Sequence, residues 1–288
     1  PAWRVEAEAG KMALADIGRE ADTLAADLQA LDASPARGDE REAELVALRR
    51  DYLTRQLQAL RARVEMLSGA TLTFDQESRA LYDAVAPTRP EADFQATLEE
   101  IETRLPGGGA LVDRYEAFRR DFVVRADRLG AVFDAAIAEC RRRTLAHVEL
   151  PPEERFTIEY VTGKSWSGYN WYQGGYRSLI QINTDFPIYI DRAVDLACHE
   201  GYPGHHVYNV LLERHLVQGR GWPEFTVYAL FTPQSLIAEG TANYGIEVAF
   251  PAGERLEYER RVLFPAAGLE AGRAEEYEAV QALVGPLL

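Results

Sequence analysis

"LACHEGYPGHHVYNVLLERH", residues 196–215, reads as helix on either side of a proline and a glycine, and carries four of the chain's five histidines. Pro203 removes a backbone donor and crowds the preceding turn, and Gly204 tolerates angles that other residues avoid, so a bulge is expected here. The stretch also carries the chemistry. In His-Glu-x-x-His, two histidines on one helix face hold a metal, and the Glu after the first is the base that activates water. Here Tyr202 and Pro203 occupy the end of that pattern, and the next histidines are His205 and His206.

On an undisturbed helix neither suits. Six residues turn through about 600°, onto the wrong side, and seven come nearly into line but lie about 10 Å along the axis. A bulge absorbing two residues returns His205 to the usual position and turns His206 about 100° away, toward substrate or a supporting hydrogen bond. His205 is the preferred ligand and His206 the alternative. Zinc sites that hydrolyse use three protein ligands and keep one position for water. "SLIAEGTANYGIEVAF", 235–250, supplies the third: Glu239, Asn243 and Glu247 recur every fourth residue and read as a buried polar stripe, with a solvated helix face as the alternative. Glu239 is the expected ligand. Asn243 is placed to fix a ligand histidine by a hydrogen bond, and Asp195, one turn before His199, is a second residue for that task. His147 and His215 read as ordinary histidines.

Outward from this block the patterning is helical. Apolar residues recur at three- and four-residue intervals over 3–31 and 39–67, with a turn at 32–40. Further helices are expected over 73–86, 90–105 and, as one long strut, 110–147. Composition shifts at 148 to Pro, Gly and aromatics. Two strand-like runs, 155–162 and 176–184, predict a small β element such as a hairpin with a long Gly- and Tyr-rich connection. Helix resumes at Ile188, interrupted at 201–204 and 219–223, and a last helical pattern runs from 252. The expected organisation is a helical region over 1–150 and a motif-bearing region over 151–288, in one continuous domain.

The 31 basic and 46 acidic residues leave a formal charge of −15, which repels nucleic acid and anionic membranes. The Arg-rich "ECRRRT", 139–144, reads as a solvated helix face. Cys140 and Cys198 are too few for a disulfide framework and fit a reducing compartment such as the cytoplasm. A chain starting at Pro1 and stopping inside a helical pattern is expected to be part of a longer polypeptide, and a secretory signal upstream is the alternative for localisation. No apolar run is long enough to span a membrane.

"HEGYPGHH", with "GGYRSLIQINTD" before it and "AEGTANYGIEV" after it, resembles the bacterial family known as domain of unknown function 885. That family pairs a His-Glu-x-x-Pro-Gly-His-His block with a downstream Glu-Gly-x-Ala-x-Tyr block, here at 199–206 and 239–244. Thr241 stands where it often has Trp. The family looks like distant kin of the gluzincin metallopeptidases. The resemblance, which covers about residues 155–250, implies a mainly α, zincin-like helical bundle with a small β element beside the site. It implies zinc on His199, His205 and Glu239, with Glu200 as base. The activity expected is hydrolysis of a peptide or small amide. His206, Tyr244, Tyr202, Tyr176 and Arg177 are the available oxyanion donors, and the 176–184 run is a candidate edge strand for an extended peptide. The alternatives are a zinc hydrolase of non-peptide amides or esters and a non-catalytic, metal-binding scaffold.

Overall fold

Runs rich in Leu, Ala, Glu and Arg favour helix, and the chain is mainly helical with one small sheet. The computed structural model describes residues 12–31, 40–251 and 253–287. Residues 3–11 of the first expected helix and 32–39 of the expected turn lie outside them. The chain divides into two compact units, 1–87 with 224–239 and 88–223 with 240–288. Among the described residues no helix is long and apolar enough to cross a membrane.

In the first unit, α1 (Leu14–Ala30) and α2 (Glu40–Leu67) fully bury one residue each, Ala21 and Ala59. Polar and aromatic contacts supplement that thin core. Arg49 forks onto Glu224 at 2.6 and 3.0 Å, and Tyr52 stacks on Phe225 and donates to Gln234 at 2.7 Å. They hold 224–239 against α2. Helix α3 (Phe74–Tyr82) opens on a capping box between Thr73 and Gln76. It ends before the expected residue 86, because Asp83 adopts the left-handed conformation that short polar side chains tolerate.

The second unit begins with α4 (Glu91–Arg104), α5 (Leu111–Arg119) and α6 (Leu129–Leu145). The strut expected over 110–147 is therefore two helices. Between them Val123 is extended and bridges Tyr189, and Val124 N–H donates to Ile188 O at 2.8 Å. Phe122 packs its ring on Phe118, Phe264 and Tyr277. Tertiary packing overrides the local helical preference here.

The expected hairpin is a three-stranded sheet: β1 (Arg155–Val161), β2 (Gly168–Gly174) and β3 (Arg177–Asn183), in the order β1-β3-β2. The presumed connection is itself a strand, antiparallel to β3, while β1 and β3 are parallel. Gly174, Gly175 and Tyr176 turn the chain at positive φ, and Glu213 accepts from the N–H groups of Gly175 and Tyr176 and from the Tyr172 hydroxyl. Strand β3 is thus central and cannot be the edge strand expected of 176–184. The edges are β1 and β2. Ile180 and Ile182 of β3 pack into the core with Val132 and Phe133 of α6 and with Ala193 and Val194 of α7 (Ile190–Leu196).

The remaining helices are α8 (His205–Leu212), α9 (Pro233–Ala249), α10 (Glu254–Tyr258), α11 (Phe264–Ala267) and α12 (Ala274–Val284). Arg143 of α6 donates to Ala249 O at 2.9 Å, which anchors the end of α9, and it also reaches Glu254. Arg141, Arg142 and Arg143 are therefore ion-paired, to Glu154, Glu139 and Glu254, and the Arg-rich segment is more than a solvated face.

Hydrogen bonds from Arg142, opposed by partial burial and aided by Arg143, hold the Glu139 carboxyl at about 2, below its ordinary 4.5. A depressed folded-state value stabilises above the unfolded value and ceases to do so as pH falls toward the folded one. Glu139→Gln is therefore expected to lower the thermal midpoint at pH 7, with the deficit shrinking by pH 3. Calorimetry at the two pH values checks this, and an equal deficit at both would contradict it.

Candidate metal centre

Helix α7 runs without a gap into a π turn, Ala197–Gly201, that carries His199 and Glu200. Tyr202 N–H closes that turn on Ala197 O at 3.1 Å, and Gly204 N–H donates to Cys198 O at 2.9 Å. A cis peptide joins Tyr202 to Pro203, and α8 restarts at His205. The expected bulge is thus a widened turn followed by a break. Gly204 is indispensable to it, since a Cβ there would stand 1.9 Å from the His199 carbonyl oxygen and 2.4 Å from that of Cys198. Gly245 of α9 also faces Pro203 closely, though less so: a Cβ there would meet the Pro203 ring at 2.9 Å.

One donor atom each from His199, His205 and Glu239 lies within 4.8 Å of the others, a grouping able to hold a metal ion. His205 rather than His206 joins it. The two imidazole rings sit edge to face with centroids 4.6 Å apart. Asn243 Oδ1 lies 3.0 Å from His199 Nδ1, the contact anticipated for it. Because an amide oxygen only accepts, this contact assigns the proton to Nδ1 and leaves Nε2 its lone pair. Helix α9 holds Glu239 and Asn243 one turn apart on the same face.

That face is not the buried stripe expected. Glu239, Asn243 and Glu247 are exposed, whereas Ala238, Ala242, Gly245 and Ala249 form the packed side. Small residues permit close helix packing, so they take the packed side and the polar face is left accessible to solvent. Solvation of Glu239 removes any desolvation argument for a cation there. Proximity to the histidines carries that argument instead.

His206, offered by the sequence as a donor to substrate, is placed elsewhere. It is completely buried, with Nδ1 2.8 Å from Ser178 Oγ of β3 and Nε2 3.0 Å from Glu154 Oε2. Tyr202 donates to the same Glu154 oxygen at 2.6 Å, and Arg141 donates twice to the other, at 2.6 and 3.1 Å. Burial acts to raise the Glu154 carboxyl, but the bonds from His206, Tyr202 and Arg141 outweigh it and hold the group below the ordinary range. Glu154 escaped the sequence reading, because the second glutamate of Pro-Pro-Glu-Glu, 151–154, carries no motif. Nor does Asp195 support His199; it pairs with Arg192 and Arg255. Tyr176 is engaged with Gln218. Tyr244 is 65 % exposed on α9, and Arg177 is also exposed. His147 and His215 are exposed, as expected of ordinary histidines.

Glu200 is buried, and Asn170 of β2 donates to its backbone oxygen at 2.7 Å. Strand β2 also passes close to its carboxylate: a Cβ on Gly168 would lie 3.1 Å from Glu200 Oε1 and 2.8 Å from Leu196.

In comparisons with known proteins the chain matches no family model, no curated protein and no solved structure.

Gly204→Ala is expected to cost about 3 kcal/mol or more in denaturant unfolding, since neither carbonyl can yield without undoing the turn. Unchanged stability would mean that the break tolerates a side chain. Asn243→Ala is expected to weaken metal affinity by about 10- to 100-fold, read by chelator competition, while the fold persists.

Proposed function

We propose that the chain is a zinc-dependent metallopeptidase with His199, His205 and Glu239 as ligands and Glu200 as general base. The convergence of two imidazoles and a carboxylate, with His199 oriented by Asn243, is the observation that carries this reading. The set fits zinc, which takes nitrogen and oxygen donors and uses three protein ligands where it hydrolyses. The resemblance of 199–206 and 239–244 to domain of unknown function 885, and through it to the gluzincins, supports the same assignment.

When bound, zinc supplies Lewis acidity that makes water a nucleophile near neutral pH and polarises an amide carbonyl. Glu200 takes the proton of the attacking water and passes it to the leaving amine nitrogen. Asn243 keeps the His199 ring in the tautomer that presents Nε2. Burial of Glu200 against β2 restricts its rotamers and keeps bulk water from it. Strand β2 has no strand paired to its outer side among the described residues, so it replaces β3 as the edge that could bind an extended peptide through backbone hydrogen bonds. With His206, Tyr202 and Tyr176 engaged elsewhere, Tyr244 and Arg177 are the oxyanion donors to examine.

Protein purified without chelators is expected to contain one zinc per chain, lost in His199→Ala and in His205→Ala. Glu200→Gln is expected to keep the zinc and lose cleavage of a general peptide library by at least about 1000-fold. Full activity in Glu200→Gln would remove it as base. Cleavage of small amides or esters but not peptides would replace the peptidase assignment with a non-peptide hydrolase.

A further inference from the structure

The carboxylate of Glu154 joins the two sides of the helix break. Tyr202 lies before Pro203 and Gly204, and His206 follows His205; both bond to the one oxygen Oε2, at 2.6 and 3.0 Å. Arg141 occupies Oε1, so the acid itself is held on a second helix. On the far side of the His206 ring, Ser178 of the central strand fixes the remaining nitrogen. Serine, histidine and glutamate in a hydrogen-bonded line suggest a nucleophilic triad. However, the three residues are 3, 0 and 5 % exposed, and no carbonyl can approach the serine.

The arrangement instead fixes a rotation. Consecutive helical residues point about 100° apart. With the His206 ring tied to the sheet on one nitrogen and to Glu154 on the other, α8 can restart in only one orientation, and His205 then points toward His199. Tyr202, tied to the same oxygen, fixes where the preceding turn ends. We propose that Glu154 is a positioning residue for the metal centre, acting through Tyr202 and His206 to set the direction of His205. This rests on the metal-ligand assignment above.

The test measures zinc affinity by chelator competition and the visible spectrum of the Co2+-substituted chain, with thermal midpoints in parallel. Glu154→Gln is expected to fold, to bind zinc about 10- to 100-fold more weakly and to show an altered Co2+ spectrum. Glu259→Gln, at a carboxylate equally buried but paired with Arg255, is the control; it is expected to keep wild-type zinc affinity whatever its thermal midpoint. Wild-type affinity in Glu154→Gln, or a loss matched in Glu259→Gln, overturns the proposal. If Glu154→Gln fails to fold, Tyr202→Phe removes a single hydroxyl. Weakened affinity with an altered Co2+ spectrum then supports the proposal, and wild-type values overturn it. A wild-type chain that binds no metal overturns the ligand assignment and this inference together, whereas metal binding untouched by Glu154→Gln overturns this inference alone.

Discussion

The carbonyl of His199 stands where a side chain on residue 204 would have to be. That approach lets one helix end in a π turn and another begin with only three residues between them. An unbroken helix would send a histidine six residues on to the opposite side. With the chain folded back on itself at Pro203 and Gly204, His199 and His205 meet edge to face, and α9 seats Gly245 on the proline that makes the break.

Two adjacent histidines acquire opposite roles from this geometry. His205 is half-buried and shares a cluster with exposed Glu239, while His206 is sealed in the core between Ser178 and Glu154. A buried imidazole needs partners for both nitrogens, and a buried carboxylate needs donors. Here each meets the other's need, and Arg141 and Tyr202 complete the set. Polar groups satisfied in this way specify one orientation, where an apolar contact would permit several.

The surrounding fold presents the site. Ala249, at the end of α9, packs in the core of the second unit, and Arg143 holds its carbonyl. The polar side of α9 is thereby left in solvent, where a carboxylate costs little and remains reachable. Strand β2, crowded against Glu200 through a glycine, joins the sheet to the same turn.

Much of this was legible in the sequence, because proline, glycine and helical period act locally. The break at 203–204, the preference for His205 over His206, a hydrogen bond between Asn243 and one of the ligand histidines and the mainly helical class follow from residue type and spacing, whereas the structure selects His205 and names His199 as the partner of Asn243. The resemblance added zinc and hydrolysis as expectations, and both remain proposals. The sequence could not reveal which face of α9 is buried, since alanine and polar residues alternate there without a clear apolar stripe. Nor could it show that the Gly- and Tyr-rich 168–174 pairs as a strand, or that Val123 breaks a long helix by bridging Tyr189. Glu154 was invisible for the same reason: its partners lie 13, 48 and 52 residues away. Local chemistry determined where the chain turns and which side chains could bind a cation. Only tertiary packing, which alone brings distant donors and acceptors within bonding range, decided which histidine is sealed away and which carboxylate holds it.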